Sequence, residues 1–329
     1  MITKTLVQIP EHVITNKYFW YIYRCLYKLE QEQKIVLEVH KNIDPIDWHR
    51  YVATIKIDGK AIILDLCDST CLPIWEIEQA PIGTIILKAN AASKLWKNAP
   101  ETFEHKLPKD QEQYLPLVKP FIFGRSLSLD YDIDERAFYG KYISPISKEI
   151  VSLSGEGRYE QQTSNRLKLY DFISSSFILS KYELLWNHRE HFNESEKIVN
   201  YNYRIRNYHR PAKDMFNCYQ NYIQWLSTGK YSLNMPGISA SQPFRIVDAI
   251  LAQRHIISTK IWIDAYEDCP KINLPIEGYF HLAEDNETQA RYVLANLDSL
   301  KYSLDQANKW YEKYLSVAGM WQQLLKGVS

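Results

Sequence analysis

The chain has 329 residues, 46% apolar and 24% charged, with 39 acidic residues balanced against 39 basic ones. That length asks for more than one core of ordinary size, and the composition is that of a globular protein. Zero formal charge argues against a dedicated nucleic-acid binder, which carries a basic excess, and no apolar run is long enough to span a bilayer.

The opening MITKTLVQIPEHVI lacks the basic and then apolar regions of a secretory signal. Five scattered cysteines, with Cys67 and Cys71 the one close pair, match no zinc-ligand spacing and read as reduced thiols. Both features point to a cytoplasmic protein. The 24 Tyr, 9 Trp and 11 Phe suit stacking on sugars and bases, although most such rings serve as packing.

In chain order, residues 15–28 read as an aromatic helix and 34–40 alternate as a strand. Residues 52–57 and 61–65 flank Asp58-Gly59, which predicts a hairpin closed by a type I′ turn. A short strand follows at 84–88, and the Pro- and Lys-rich stretch 100–120 interrupts any long element. From residue 149 the pattern changes to alternating strands and helices: strand 150–154, helix 165–174, helix 214–226, strand 230–234, strand 255–258 and strand 272–276. Helices at 288–300 and 304–325 close the chain. This alternation predicts a parallel sheet wound on both faces, with a domain boundary near residue 145 and ligand loops at the carboxyl ends of the strands.

The densest signal lies in GKYSLNMPGISASQPFRIVDAILAQRHIISTKIWID, residues 229–264. A strand ends at Pro236-Gly237, a small-residue loop follows, and Pro243 suits the first turn of a helix. Ile246, Val247, Ile250 and Leu251 form its apolar face. A hydroxyl-bearing loop feeding a helix N-terminus concentrates free N–H groups for an anion, and Arg245 would add a charged fork. An ordinary strand–helix–strand unit with Arg245 paired to Asp248 is the alternative.

This segment resembles the donor site of GT-B glycosyltransferases, most closely the exostosin-like and capsule-associated O-glycosyltransferase-like groups. The resemblance implies two Rossmann-like domains facing across a cleft, with a C-terminal helix returning to the first. It implies an acceptor-side domain over 1–145, a donor domain over 146–300 and a returning helix over 301–329. It also implies a hexosyl- or pentosyltransferase of cell-surface polysaccharide assembly, using a UDP- or GDP-linked sugar and a saccharide or glycolipid acceptor. Neither metal nor cofactor is required, no nucleic acid is bound, and peripheral contact with the inner membrane face is compatible with the role. The matching positions are Ser239, Ser241, Phe244, Arg245 and Asp248, and Lys230 at the strand start is taken with them. This chain departs from the pattern in carrying Gln253-Arg254 after the helix and in lacking a Glu-x-Glu pair.

A second loop, Ser154-Gly155-Glu156-Gly157, lets backbone approach a ligand closely, with Arg166 as its basic partner and Arg158 as alternate. A tight turn with an exposed Arg166 competes equally. For an inverting transfer, Asp65 or Asp68 is the candidate general base, although a capping role is the commoner fate of a turn Asp. Asp130-Tyr-Asp132-Ile-Asp134-Glu135 lacks the Gly and Glu of a calcium loop and reads as a solvated turn, with a metal-dependent transferase as the alternative. Arg125 is placed near the acceptor. The basic aromatic run 201–213 suits acidic glycan, headgroups or phosphates, and His188 and His191 have the spacing of one helix face but no third ligand, and read as surface residues rather than a metal pair. A non-catalytic carbohydrate- or protein-binding module on the same fold is the main rival function.

Overall fold

The computed structural model describes residues 4–16, 18–41, 51–67, 71–98, 107–124, 140–155, 160–176, 182–188, 204–207, 219–235, 244–276 and 286–329. Two six-stranded sheets organise them. The first contains β1 (Thr5–Pro10), β2 (Ile35–His40), β3 (Val52–Ile57), β4 (Lys60–Asp65), β5 (Ile85–Lys88) and β6 (Val118–Pro120), in the order β2-β1-β3-β4-β5-β6. All its pairings are parallel except those of β3, which runs against both β1 and β4. The expected hairpin joins β3 and β4. Asp58 and Gly59 both take positive φ, 48° and 81°, as a type I′ turn demands. Asp58 also accepts from Leu6 N through Oδ1 at 2.7 Å, which ties the turn to β1.

The second sheet is parallel throughout: β7 (Lys148–Gly155), β8 (Tyr182–His188), β9 (Arg204–Asn207), β10 (Gly229–Asn234), β11 (His255–Ser258) and β12 (Ile272–Asn273). Its order is β12-β11-β10-β7-β8-β9. Counted from β7, this is the 3-2-1-4-5-6 arrangement of a doubly wound nucleotide-binding sheet, with the reversal between β7 and β10. His188, expected on a helix, instead closes β8 opposite Asn207, while His191 lies outside the described residues. Arg204–Asn207 of the basic run forms β9 and the rest of that run is likewise outside.

The helices are α1 (His12–Thr15), α2 (Trp20–Gln31), α3 (Ile74–Gln79), α4 (Ser93–Asn98), α5 (Glu160–Ser176), α6 (Tyr219–Leu226), α7 (Phe244–Leu251), α8 (Glu287–Ala295), α9 (Leu297–Leu300), α10 (Leu304–Leu315) and α11 (Val317–Leu325), with a 3₁₀ turn at Lys109–Leu117. Alternate residues of the second sheet enter different cores. Ile150, Tyr231, Leu233 and Ile257 pack with Leu169 and Tyr170 of α5 and Leu294 of α8. Val151 and Ile256 pack on the other face with Ile246 and Ile250 of α7, in a core shared with β1, β4, α2 and α11. Burial on both faces is what a parallel sheet requires.

The single expected terminal helix is two, broken at Ser316, whose side chain caps α11 by accepting from Gly319 N at 3.0 Å. The break turns α11 back onto the first domain. There Gln323 behaves like an extra peptide unit: its Oε1 accepts from Ile122 N at 2.9 Å, and its Nε2 donates to Ile122 O at 3.0 Å and Tyr314 O at 2.8 Å. Tyr21 and Lys60 add bonds to the carbonyls of Leu315 and Val328. The architecture anticipated from the sequence, two α/β domains with a returning C-terminal helix, is the one observed. Gln323→Leu keeps side-chain bulk but strands buried main-chain groups, so it should lower stability by roughly 1–3 kcal/mol in denaturant unfolding.

Candidate functional site

Strand β7 ends at Gly155 and β10 at Asn234, and these two neighbours leave the sheet at its order reversal. Connections on either side of a reversal run in opposite directions, which opens a crevice above the carboxyl ends. Arg245, in the first turn of α7, lies across it. Its Nε donates to Leu153 O of β7 at 2.9 Å and its Nη1 to Met235 O, just past β10, at 3.2 Å. The guanidinium is therefore fixed by the main chain of both strands that flank the reversal, and Asp248 is not among its partners. Asp248 sits one turn along α7 and is buried.

Arg166 of α5 approaches from the other face and is buried too. Both guanidiniums lie near the Tyr170 hydroxyl, which donates to Ser152 Oγ at 3.1 Å. Burial raises the Tyr170 phenol well above its ordinary value, and the charges of Arg245 and Arg166 act in the opposite direction. Along the same edge, Ser154 Oγ, Asn234 Oδ1 and the Oγ1 of Thr259, just past β11, are buried without hydrogen-bond partners among the described residues. The crevice thus presents two cations and a row of unsatisfied polar atoms, an arrangement able to hold a phosphate group.

Of the expected site residues, the structure brings together Gly155, Arg166 and Arg245. Ser239, Ser241 and Asp68 lie outside the described residues, as do Arg125, Arg158 and Asp130–Glu135. Phe244 opens α7. Two assignments are corrected. Lys230 is the second residue of β10, about 13 Å along the strand from its carboxyl end, and there it pairs with Asp298 at 2.5 Å and Glu149 at 3.7 Å. It belongs to the opposite edge of the sheet.

Asp65 is corrected as a base. It does end β4 at the cleft-facing edge of the first sheet, but it is 1% exposed. Its Oδ2 meets Lys88 Nζ at 2.5 Å and its Oδ1 accepts from Cys67 N at 2.9 Å. Lys88 stands opposite it on β5 and is fully buried. Both oxygens are engaged and neither is open to an acceptor hydroxyl.

The two carboxyl edges meet. Asp264, beyond β11, donates its N–H to Ala91 O at 2.9 Å, and its carboxylate accepts from Ser93 N and Oγ at the head of α4. Burial raises the Asp264 carboxyl above its usual value, and the Ser93 bonds partly offset this. Among the described residues no cluster of His, Cys, Asp and Glu could hold a metal ion, and no helix is long and apolar enough to cross a membrane. Lys260, Trp262 and Lys271, which line a cleft beside this contact, were not signalled by any motif.

No protein-family model and no curated protein matches the chain. Among solved structures it is similar to a glycosyltransferase from Rickettsia africae, with 12% identity, 94% of this chain and 81% of that one covered, and a TM-score of 0.42. It is similar to spinosyn rhamnosyltransferase, with 13% identity, coverage of 92% and 70%, and a TM-score of 0.39. It is also similar to an E. coli trehalose-6-phosphate protein bound with UDP-2-fluoro glucose, with 10% identity, 64% of this chain covered and a TM-score of 0.38. The chain spans about half of that last protein, 51%. The GT-B likeness anticipated from the sequence is found again among these structures. At these TM-scores they carry no argument about chemistry, which rests on the site itself.

The buried Asp65–Lys88 pair makes a separable expectation. Lys88→Met alone leaves a buried carboxylate unpaired and should cost about 3–5 kcal/mol, whereas the double variant Asp65→Leu/Lys88→Met should regain most of that. A double-mutant cycle by chemical denaturation measures both.

Proposed function

We propose that the protein is a glycosyltransferase that binds a nucleotide-sugar donor at the β7/β10 crevice and transfers the sugar to a saccharide acceptor lodged against the first domain. The observation that carries this reading is Arg245, held by Leu153 O and Met235 O at the point where the strand order reverses. A guanidinium pinned there by neutral carbonyls keeps its full charge, and its fixed orientation lowers the entropic cost of gripping a diphosphate. Arg166 adds a second charge from the opposite face. Ser239 and Ser241 lie in the chain between β10 and α7, and their N–H groups and hydroxyls are the proposed wrapping for the phosphates.

Stabilising charge on the leaving diphosphate is the chemical contribution of such a site. The anomeric C–O bond to phosphate breaks as the acceptor oxygen attacks, and negative charge grows on the diphosphate, where the two arginines strengthen their hold. With Asp65 locked to Lys88, Asp68 is the carboxylate of that loop we assign as base for an inverting transfer. The donor as UDP- or GDP-linked hexose or pentose, the glycolipid acceptor, the polysaccharide setting, the membrane face and the division at residues 145 and 300 belong to the same reading and rest on the sequence resemblance.

Arg245→Ala should weaken UDP or GDP binding about ten- to a hundredfold, the worth of a charged hydrogen bond. Lys230→Ala, at the far edge, should leave it unchanged. Calorimetric titration of both variants decides, and equal losses would sink the assignment of the crevice. Asp68→Asn should reduce turnover by about two to four orders of magnitude while nucleotide affinity stays constant. Unchanged turnover in a steady-state assay would remove Asp68 from the mechanism.

A further inference from the structure

Helices α2 and α11 lie side by side over one face of the first sheet, where Ile22 and Leu26 of α2 and Met320 and Leu324 of α11 pack inward with Ile55 and Ile62. Helix α2 leads from β1 to the parallel β2, and α11 ends where Lys60, at the start of β4, donates to Val328 O at 2.7 Å. Both helices therefore finish at the amino edge of the sheet. Their outward sides are aromatic. Trp20, Tyr23 and Tyr27 recur at helical spacing on α2, and the last two rings stack with centroids 6.0 Å apart. Tyr27 is 45% exposed. Trp321 and Leu325 of α11 are half-buried, with Gln322 and Lys326 beside them exposed.

No carboxylate interrupts this layer: residues 20–29 of α2 and the whole of α11 contain neither Asp nor Glu. Lysines gather where the helices end. Lys4, Lys28, Lys34, Lys60, Lys119 and Lys326 stand at this edge, and the carboxylates beside them are Glu30, Glu32 and Asp58. Those three are already engaged. Glu30 accepts from Leu37 N at 3.0 Å, Asp58 from Leu6 N at 2.7 Å, and Glu32 takes the Lys34 ammonium at 2.7 Å. By contrast Lys60 and Lys119 donate to the carbonyls of Val328 and Lys326, which orient an ammonium without neutralising it. A helix C-terminus takes up only about half an elementary charge, so two helix ends leave this edge positive.

We propose that the outward side of α2 and α11 docks the protein on an anionic lipid bilayer, with both helix axes along the membrane plane. Tyr and Trp rings are amphipathic and sit at the headgroup level, while lysines reach lipid phosphates and leave their stems in the apolar boundary. A protein-binding patch centres on an anchor that fills a pocket. Here the rings form a shallow line with cations at one end, which fits a deformable surface of negative charge. Laid flat in this way, the carboxyl edges of the sheets open along the membrane, within reach of a glycolipid acceptor. Only that purpose rests on the reading above; the docking itself does not depend on donor binding.

Co-sedimentation of the full chain with phosphatidylcholine vesicles, with and without phosphatidylglycerol, tests this. The anionic vesicles should bind the protein and the neutral ones should not, and sodium chloride should release it. A lysine at such a surface is worth about fivefold in partitioning, so the double variant Lys28→Gln/Lys326→Gln should bind about twenty- to thirtyfold more weakly. Neither side chain ties a main-chain group, unlike Lys60 and Lys119, so the fold is spared. Tyr27→Ser should weaken the binding that remains at high salt. Equal binding to both vesicles, no binding, or wild-type binding by either variant overturns the proposal. Sodium phosphate that displaces the protein better than sodium chloride of equal ionic strength overturns it too, since the site would then be one for free phosphate. UDP titration of the same samples separates the two readings. Vesicle binding without UDP binding removes the donor site and leaves the docking face, and UDP binding without vesicle binding does the reverse.

Discussion

The reversal of strand order between β7 and β10 is the constraint on which the candidate site depends. Parallel strands joined by right-handed crossovers must send successive helices to one face until the order reverses, after which they go to the other. Hence α5 and α7 cover opposite faces, as their separate cores record: Tyr170 packs with Leu233, Ile250 with Ile256. Side chains from both faces can therefore reach the gap between the carboxyl ends of β7 and β10. Arg166 and Arg245 do so, and no arrangement of a simply wound sheet would bring those two helices to one crevice.

A crevice on one domain becomes a cleft only if the second domain is held opposite it. Here three features fix that relation. The core of α7 and β11 is continuous with that of β1, β4 and α2, so the domains share buried apolar surface. The returning α11 then clamps the first domain through Gln323, whose amide copies main-chain pairing at Ile122. Asp264 and Ser93 join the carboxyl edges directly. Asp264 is only half-buried and its carboxylate accepts from both Ser93 N and Oγ, so this joint is a polar contact at the rim of the cleft.

Much of this was legible in the sequence where local chemistry decides structure. Asp58-Gly59 announces its turn because few other pairs tolerate two positive φ angles. The strand–loop–helix at 229–251 shows its direction, and so the edge at which Arg245 stands. Less was legible where pairing decides. Lys230 is excluded from the site because parallel neighbours place every strand start at the other edge, a fact absent from the residue itself. Asp65 reads as a turn carboxylate; its lock depends on the β4–β5 register that sets it opposite Lys88. Strands β8 and β9 carry Tyr182, His188, Arg204 and Arg206, polar residues that hide a strand in the sequence. The break at Ser316 lies within one continuous helical periodicity, and what ends α10 there is the hydroxyl cap of the next helix.

Formal neutrality of the whole chain conceals how its charge is arranged. On the first sheet the edge charges Asp65 and Lys88 neutralise each other out of contact with water. On the second, Arg166, Arg245, Lys260 and Lys271 follow the carboxyl edge from β7 to β12, and the described partners of Arg245 and Lys271 are carbonyls. Carbonyls orient a cation without cancelling it, so Arg245 contributes a positive potential at the crevice even though acidic and basic residues are equal in number. Low-dielectric walls strengthen that potential inside a cleft. At the crevice between β7 and β10 the charge that such walls act on is that of Arg245, held in place by Leu153 O and Met235 O.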